Sequence, residues 1–160
     1  MVVRPIKIII LLFLVALFAL PVQACFGPKL FLGLPDDARG QVLSSLVAIY
    51  VKEKTGTETE RVKLSGKDAL DEIKADKIDF GFTAMADDTT TLLLNIEGLP
   101  LLASGPRIVN DLQFTTVVPA LQRLQRILKP EHIDLILQDV ENGALPMAAA
   151  RRFLMQQRWI

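Results

Sequence analysis

The thirteen apolar residues from Ile8 to Leu20 decide how much of this chain can build a folded domain. A run with no polar face, so close to the amino terminus, reads as a targeting segment rather than as a buried core helix. Arg4 and Lys7 precede it with no acidic residue nearby, Pro21 ends it, and small residues follow at Ala24 and Cys25. A spanning helix needs about 20 apolar residues, so the run is short for an anchor. Residues 1–24 are therefore read as a cleaved signal peptide and the protein as exported, to the periplasm or cell envelope.

The cleavage site has two readings. Val22-Gln23-Ala24-Cys25 resembles a bacterial lipobox, in which the cysteine thiol is acylated and becomes the new amino terminus; Gln23 is its weakest match. Val22 and Ala24 also satisfy the small-residue rule of the ordinary signal peptidase. Cys25 is the only cysteine in the chain, so it has no intramolecular disulfide partner, and a lone thiol is a liability in an oxidising compartment. Acylation removes that liability, which favours a lipid anchor at Cys25; stable anchoring takes more than one acyl chain, as a diacylated cysteine supplies.

Residues 25–160 suffice for one compact domain. Losing Arg4 and Lys7 leaves 16 of the 18 basic residues against 18 acidic ones, a net charge near −2. With no basic patch or run, nucleic acid is not an expected partner.

Short apolar segments alternate with helical periodicity. Strands are expected at 29–34, 58–64 and 78–83. The first helix follows Pro35-Asp36-Asp37, carries Val42, Leu43, Leu46, Val47 and Tyr50 on one stripe, and closes at Gly56. Ser65 with Asp68 resembles a capping box for a second helix bearing Ala69, Leu70 and Ile73. Further strands are expected at 99–104 and 112–118, with a turn at Gly105-Pro106. Three helices should close the chain: 119–128, 130–139 and 146–157. In the segment 84–95, Asp87 or Asp88 could cap a short helix. Strands joined by helical crossovers imply an α/β fold with a mostly parallel sheet, the first strand central in the order 2-1-3, and one or two strands added.

The opening strand KLFLGL, the helix ending KEKTG and the segment SGKDALDEIKADKIDFGF resemble the start of substrate-binding proteins of glycine betaine, choline and proline ABC transporters. Lys77-Ile78-Asp79-Phe80 is similar to an aliphatic-Asp-aromatic element of that family. The closing segments Ile127-Leu128, Ile133, Leu137, Asp139-Val140-Glu141-Asn142-Gly143 and Ala148-Ala149-Ala150-Arg151-Arg152-Phe153-Leu154 resemble its last helices. Members have two α/β lobes, the first and last segments sharing one and the second inserted between. Here the interval from Thr83 to Val117 is too short for another lobe. The resemblance thus implies a single three-layer lobe of the type II periplasmic binding protein fold with C-terminal helices, and as partners an ABC transporter, a second copy of the chain, or a small zwitterionic solute.

Catalysis has no support in the sequence. His132 is the only histidine and sits in the first turn of an expected helix, where an exposed helix-start role explains it. With one histidine and one cysteine, no metal site is expected. No serine lies in a Gly-x-Ser-x-Gly elbow, no glycine-rich loop cradles phosphate, and no cofactor is implied. Paired carboxylates at Asp36-Asp37 and Asp87-Asp88 fall where strands give way to helices, and capping explains them at about 0.3–1 kcal/mol each. Their functional reading is that they line the carboxyl edge of the sheet, where open α/β folds bind ligands. The resemblance implies the same edge, through loops 34–39 and 83–87, and makes Asp36, Asp37, Thr83 and Asp87 the candidate ligand-binding residues. An aromatic cage for a quaternary ammonium is not apparent: Tyr50, Phe80 and Phe82 read as core and Trp159 lies beside the C-terminus. Two functions follow from this reading. One is a lipid-anchored solute-binding protein; the other is a non-catalytic protein–protein module that uses an exposed cleft face.

Overall fold

A computed structural model describes residues 27–160. The segment 1–24 read as a signal peptide, and Cys25, lie outside them. Strands β1 (Leu30–Leu34), β2 (Thr59–Lys63), β3 (Phe80–Thr83), β4 (Thr91–Leu94) and β5 (Leu101–Ser104) form one sheet in the order β2-β1-β3-β5-β4. β1 pairs in parallel with β2 and β3, as the two crossovers require, while β5 is antiparallel to both β3 and β4. The protein is thus α/β, but its sheet is mixed and not mostly parallel. β4 and β5 form a hairpin whose short connection reverses strand direction, and β5 inserts between β3 and β4, which run the same way as each other.

The helices are α1 (Ala38–Thr55), α2 (Ala69–Lys74), α3 (Pro106–Asn110), α4 (Val117–Ile127), α5 (Pro130–Glu141) and α6 (Pro146–Gln156). Asp37 caps α1 by accepting from the Gly40 N–H at 2.7 Å, and Gly56 ends it in the left-handed conformation at φ 74°. Eleven of its eighteen residues are buried, including every one from Val42 to Val51. A one-sided stripe was the expectation; the helix is covered all round because the sheet lies on one side and α4, α5 and α6 pack on the other. Its two buried serines are satisfied. Ser44 Oγ donates to the Gly33 carbonyl at 3.1 Å, and Ser45 Oγ accepts from Arg61 at the same distance. Of the three C-terminal helices, α4 reaches the sheet at β4, whereas α5 and α6 stack chiefly behind α1.

The opposite face of the sheet is thinly covered. Leu64, Ala69, Ile73, Ile78 and Ala103 make a small second core beneath α2. Close approach is possible because β1 and β3 present glycines there: a Cβ on Gly81 would lie 2.9 Å from Ala69 Cβ, and one on Gly33 would lie 2.9 Å from Ile78 Cδ1.

Several local expectations are corrected. Residues 112–118 are not a strand: Asp111 caps a 3-10 turn at Leu112–Phe114 and α4 begins at Val117, which puts Pro119 in its first turn, where a missing N–H costs nothing. The segment 84–95 holds β4 rather than a capped helix, with Asp87 closing a turn by accepting from the Thr89 N–H. Asp68, not Ser65, is the cap of α2; Ser65 sits at φ 52° inside a tight turn. Gly105-Pro106 opens α3 instead of a plain turn. His132 is half-buried rather than exposed, its ring 5.4 Å from Phe153 and 5.3 Å from Trp159.

Asp79 closes the amino edge of the sheet. It is 9% exposed. Its Oδ2 accepts from the Phe31 N–H of β1 at 2.7 Å, and both its oxygens accept from Arg107 at 3.0 and 3.1 Å. Its backbone joins β1 and the start of α3 through Phe31 and Gly105. One carboxylate so fixes three segments.

Candidate functional site

At the carboxyl ends of β1 and β3, and just past β2, lies an open cleft of about 330 Å³. Strand geometry places it: β1 runs out into Pro35-Asp36-Asp37, β2 into Leu64 to Asp68, and β3 into Thr83-Ala84, and all three loops converge. Leu43, Leu64, Ala69 and Phe82 form an apolar floor, and Asp36, Asp37, Arg39, Lys67 and Asp68 supply the polar lining.

The polar groups are partly committed to the fold. Asp37 Oδ1 caps α1 and Asp68 Oδ1 caps α2, the latter accepting from the Leu70 N–H at 2.7 Å. Asp36 Oδ2 accepts from the Gly66 N–H, also at 2.7 Å, which ties the first loop to the second. Among the described residues, no hydrogen bond reaches the second oxygen of any of these three carboxylates. Both cations at the cleft have acidic partners: Arg39 donates to Asp134 of α5 at 2.7 Å, and Lys67 lies 3.6 Å from Glu72. Carboxylate oxygens therefore dominate the unfilled polar capacity of the cleft. A cationic group with an apolar body suits it, and an anion does not.

Of the four residues singled out in the sequence, Asp36, Asp37 and Thr83 line this cleft together. The Thr83 hydroxyl turns inward to its own loop, donating to the Met85 carbonyl at 2.9 Å. Asp87 is not among the lining residues. It pairs with Lys74 and bonds the Thr89 hydroxyl at 2.7 Å, and these contacts hold its carboxyl down to about 2. Lys74 is correspondingly raised, chiefly by its hydrogen bond to Asp87.

Sequence reasoning missed Asp68 and Phe82 as cleft residues. Asp68 follows β2 as Asp37 follows β1, so the same strand-to-helix rule finds it. Phe82 reads as core, and it is 8% exposed, but it lies at the end of β3 where the core opens to the cleft. No group of three or more His, Cys, Asp or Glu is placed to hold a metal ion among the described residues. No described helix is long and apolar enough to cross a membrane. Comparison with known proteins finds no matching family model, no similar curated protein and no similar solved structure.

Proposed function

We propose that this is an exported, lipid-anchored, non-catalytic binding protein, related to the substrate-binding components of glycine betaine-type ABC transporters and reduced to a single lobe. The carrying observation is the open cleft at the carboxyl edge of the parallel trio β2-β1-β3, with three half-satisfied carboxylates above an apolar floor. The central position of β1 and the return of the C-terminal helices onto α1 agree with one lobe of that family. The anchor is the acylated Cys25.

The cleft chemistry narrows the solute. Caging a quaternary ammonium calls for several aromatic faces, and Phe82 is the aromatic residue in this lining. A protonated amine can instead donate hydrogen bonds to Asp36, Asp37 and Asp68, so a zwitterion carrying N–H groups fits better than glycine betaine. A thermal-shift screen of the mature domain tests this. A ligand at ten times its Kd adds about 1.4 kcal/mol to stability. Amine zwitterions at tens of millimolar should raise Tm and glycine betaine should raise it less; equal, null responses to both would overturn the solute reading.

A second reading has its own observation. Met85, beside the cleft on the loop after β3, is 74% exposed. An apolar side chain at the rim suits a protein partner that covers the cleft, so the chain would act as an interaction module. Saturable binding of solute by the isolated domain would decide against it.

A further inference from the structure

We infer that Lys67 receives the carboxylate of the zwitterion and so sets a preference for amino acids over plain amines; this deepens the solute reading above and rests on it. The two cations at the cleft are held in different ways. Arg39 and Asp134 form a one-to-one pair at 2.7 Å, so turning Arg39 toward a ligand would leave Asp134 without its cation. Lys67 shares its acid. Glu72, whose side chain is 13% exposed, receives both Lys67 and Lys77 on the same oxygen, Oε1. Lys77 makes the hydrogen bond, at 3.2 Å. Lys67 lies 3.6 Å away, beyond hydrogen-bond length. Two ammonium groups on one carboxylate leave a surplus positive charge, and the looser of the two lines the cleft. When Lys67 swings away, Glu72 keeps Lys77, so the movement strands no charge.

The backbone holds this cation beside the acidic lining. Ser65 and Gly66 both sit in the left-handed region, at φ 52° and 78°, and the Lys67 N–H donates to the Leu64 carbonyl at 3.1 Å, closing a tight turn. The same turn aims the Gly66 N–H at Asp36 Oδ2, 2.7 Å away. Asp36 is thereby tied to the residue before Lys67, and opposite charges stand side by side in one cleft. An anion on its own would meet the carboxylates of Asp36, Asp37 and Asp68. A carboxylate carried on the same molecule as an ammonium needs one cation next to those acids. The flexible four-carbon stem of a lysine supplies it without rearranging the fold.

Leucine and isopentylamine differ by the carboxylate alone and share a branched apolar body. Both would be titrated at neutral pH and low salt into the full-length protein in detergent micelles, with dissociation constants read from NMR shifts of the cleft-loop amides. The wild type should bind leucine about two- to fivefold more tightly than the amine, as one exposed ion pair contributes. Lys67→Gln should abolish that preference with Tm unchanged, and Lys67→Arg should keep most of it. Lys77 lies outside the cleft lining, yet Lys77→Gln should also shrink the preference, because Glu72 would then hold Lys67. A preference that the wild type lacks, that survives Lys67→Gln, or that Lys77→Gln leaves whole would overturn the role of Lys67 and leave the solute reading standing. Shifts from neither ligand at tens of millimolar would overturn the solute reading, and the role of Lys67 with it.

Discussion

The two edges of the sheet use the same residue type to opposite ends. At the amino edge Asp79 is buried and fully bonded: two oxygens, an arginine and a backbone N–H, joining β1, β3 and α3. At the carboxyl edge Asp36, Asp37 and Asp68 each spend one oxygen on a backbone N–H and leave the other without a protein donor among the described residues. A carboxylate that is completely satisfied holds a fold together; one that is half satisfied holds a loop in place and still has capacity for something else. The difference is why the proposed recognition is placed at the edge where bonding is incomplete.

The contrast can be broken by mutation. Asp79→Ala should have the largest effect, because it strands the Phe31 N–H and removes a charge-assisted pair; a loss of about 2–4 kcal/mol in chemical denaturation is expected. A loss below about 1 kcal/mol would mean that Asp79 is no more structural than its counterparts across the sheet. Gly40→Ala should come next. Its Cβ would meet Pro35 Cβ at 2.6 Å and Asp37 Oδ2 at 2.8 Å, so the first cleft loop must shift, at about 1–3 kcal/mol of overpacking. Asp37→Ala should cost about 1 kcal/mol through its lost cap, and it should also abolish any thermal shift produced by an amine zwitterion.

Asp87 should matter least. Its carboxyl sits at about 2, against an ordinary value of 3.8, through surface hydrogen bonds from Lys74 and Thr89. Because the folded value is the lower one, this contribution is present above the unfolded carboxylate range and fades as pH falls through about 2. Surface pairs are screened by salt, so Asp87→Asn should leave Tm at neutral pH and moderate salt unchanged. An NMR titration of the wild-type carboxyl with a midpoint near the ordinary value would show that the Lys74 pair does not form.

Much of the parallel half was legible because its signals are periodic. The stripe Val42 to Tyr50, the cap at Asp37 and the stop at Gly56 define α1, and alternation with KLFLGL and IDFGFT places β1 centrally. The antiparallel half was harder to read. Thr91 to Leu94 is a short apolar run without alternation, and a register shift between Leu92 and Leu94 breaks its period. The β-branched run Thr115-Thr116-Val117-Val118 favours strand by propensity, yet burial of Val117, Ala120, Leu121 and Leu124 against the core decides for helix. At the site, the loops that follow β1 and β3 converge at the strand ends, whereas Asp87 lies away from the cleft because it pairs with Lys74. Asp79 carried a readable signal: an acidic residue between Ile78 and Phe80 in a buried strand needs a partner.

The central claim is that the carboxyl edge is half of a binding site, and affinity tests it most directly. An enclosed solute is contacted from both sides, but here one side stays in water. Roughly four hydrogen bonds at about 0.5–1.5 kcal/mol each give about 2–6 kcal/mol before the cost of association. Millimolar affinity corresponds to about 4 kcal/mol. Isothermal titration of a verified monomer of the mature domain with amine zwitterions should therefore show Kd values no tighter than about millimolar. Micromolar binding would contradict the account, because it would show that this single lobe is a complete site.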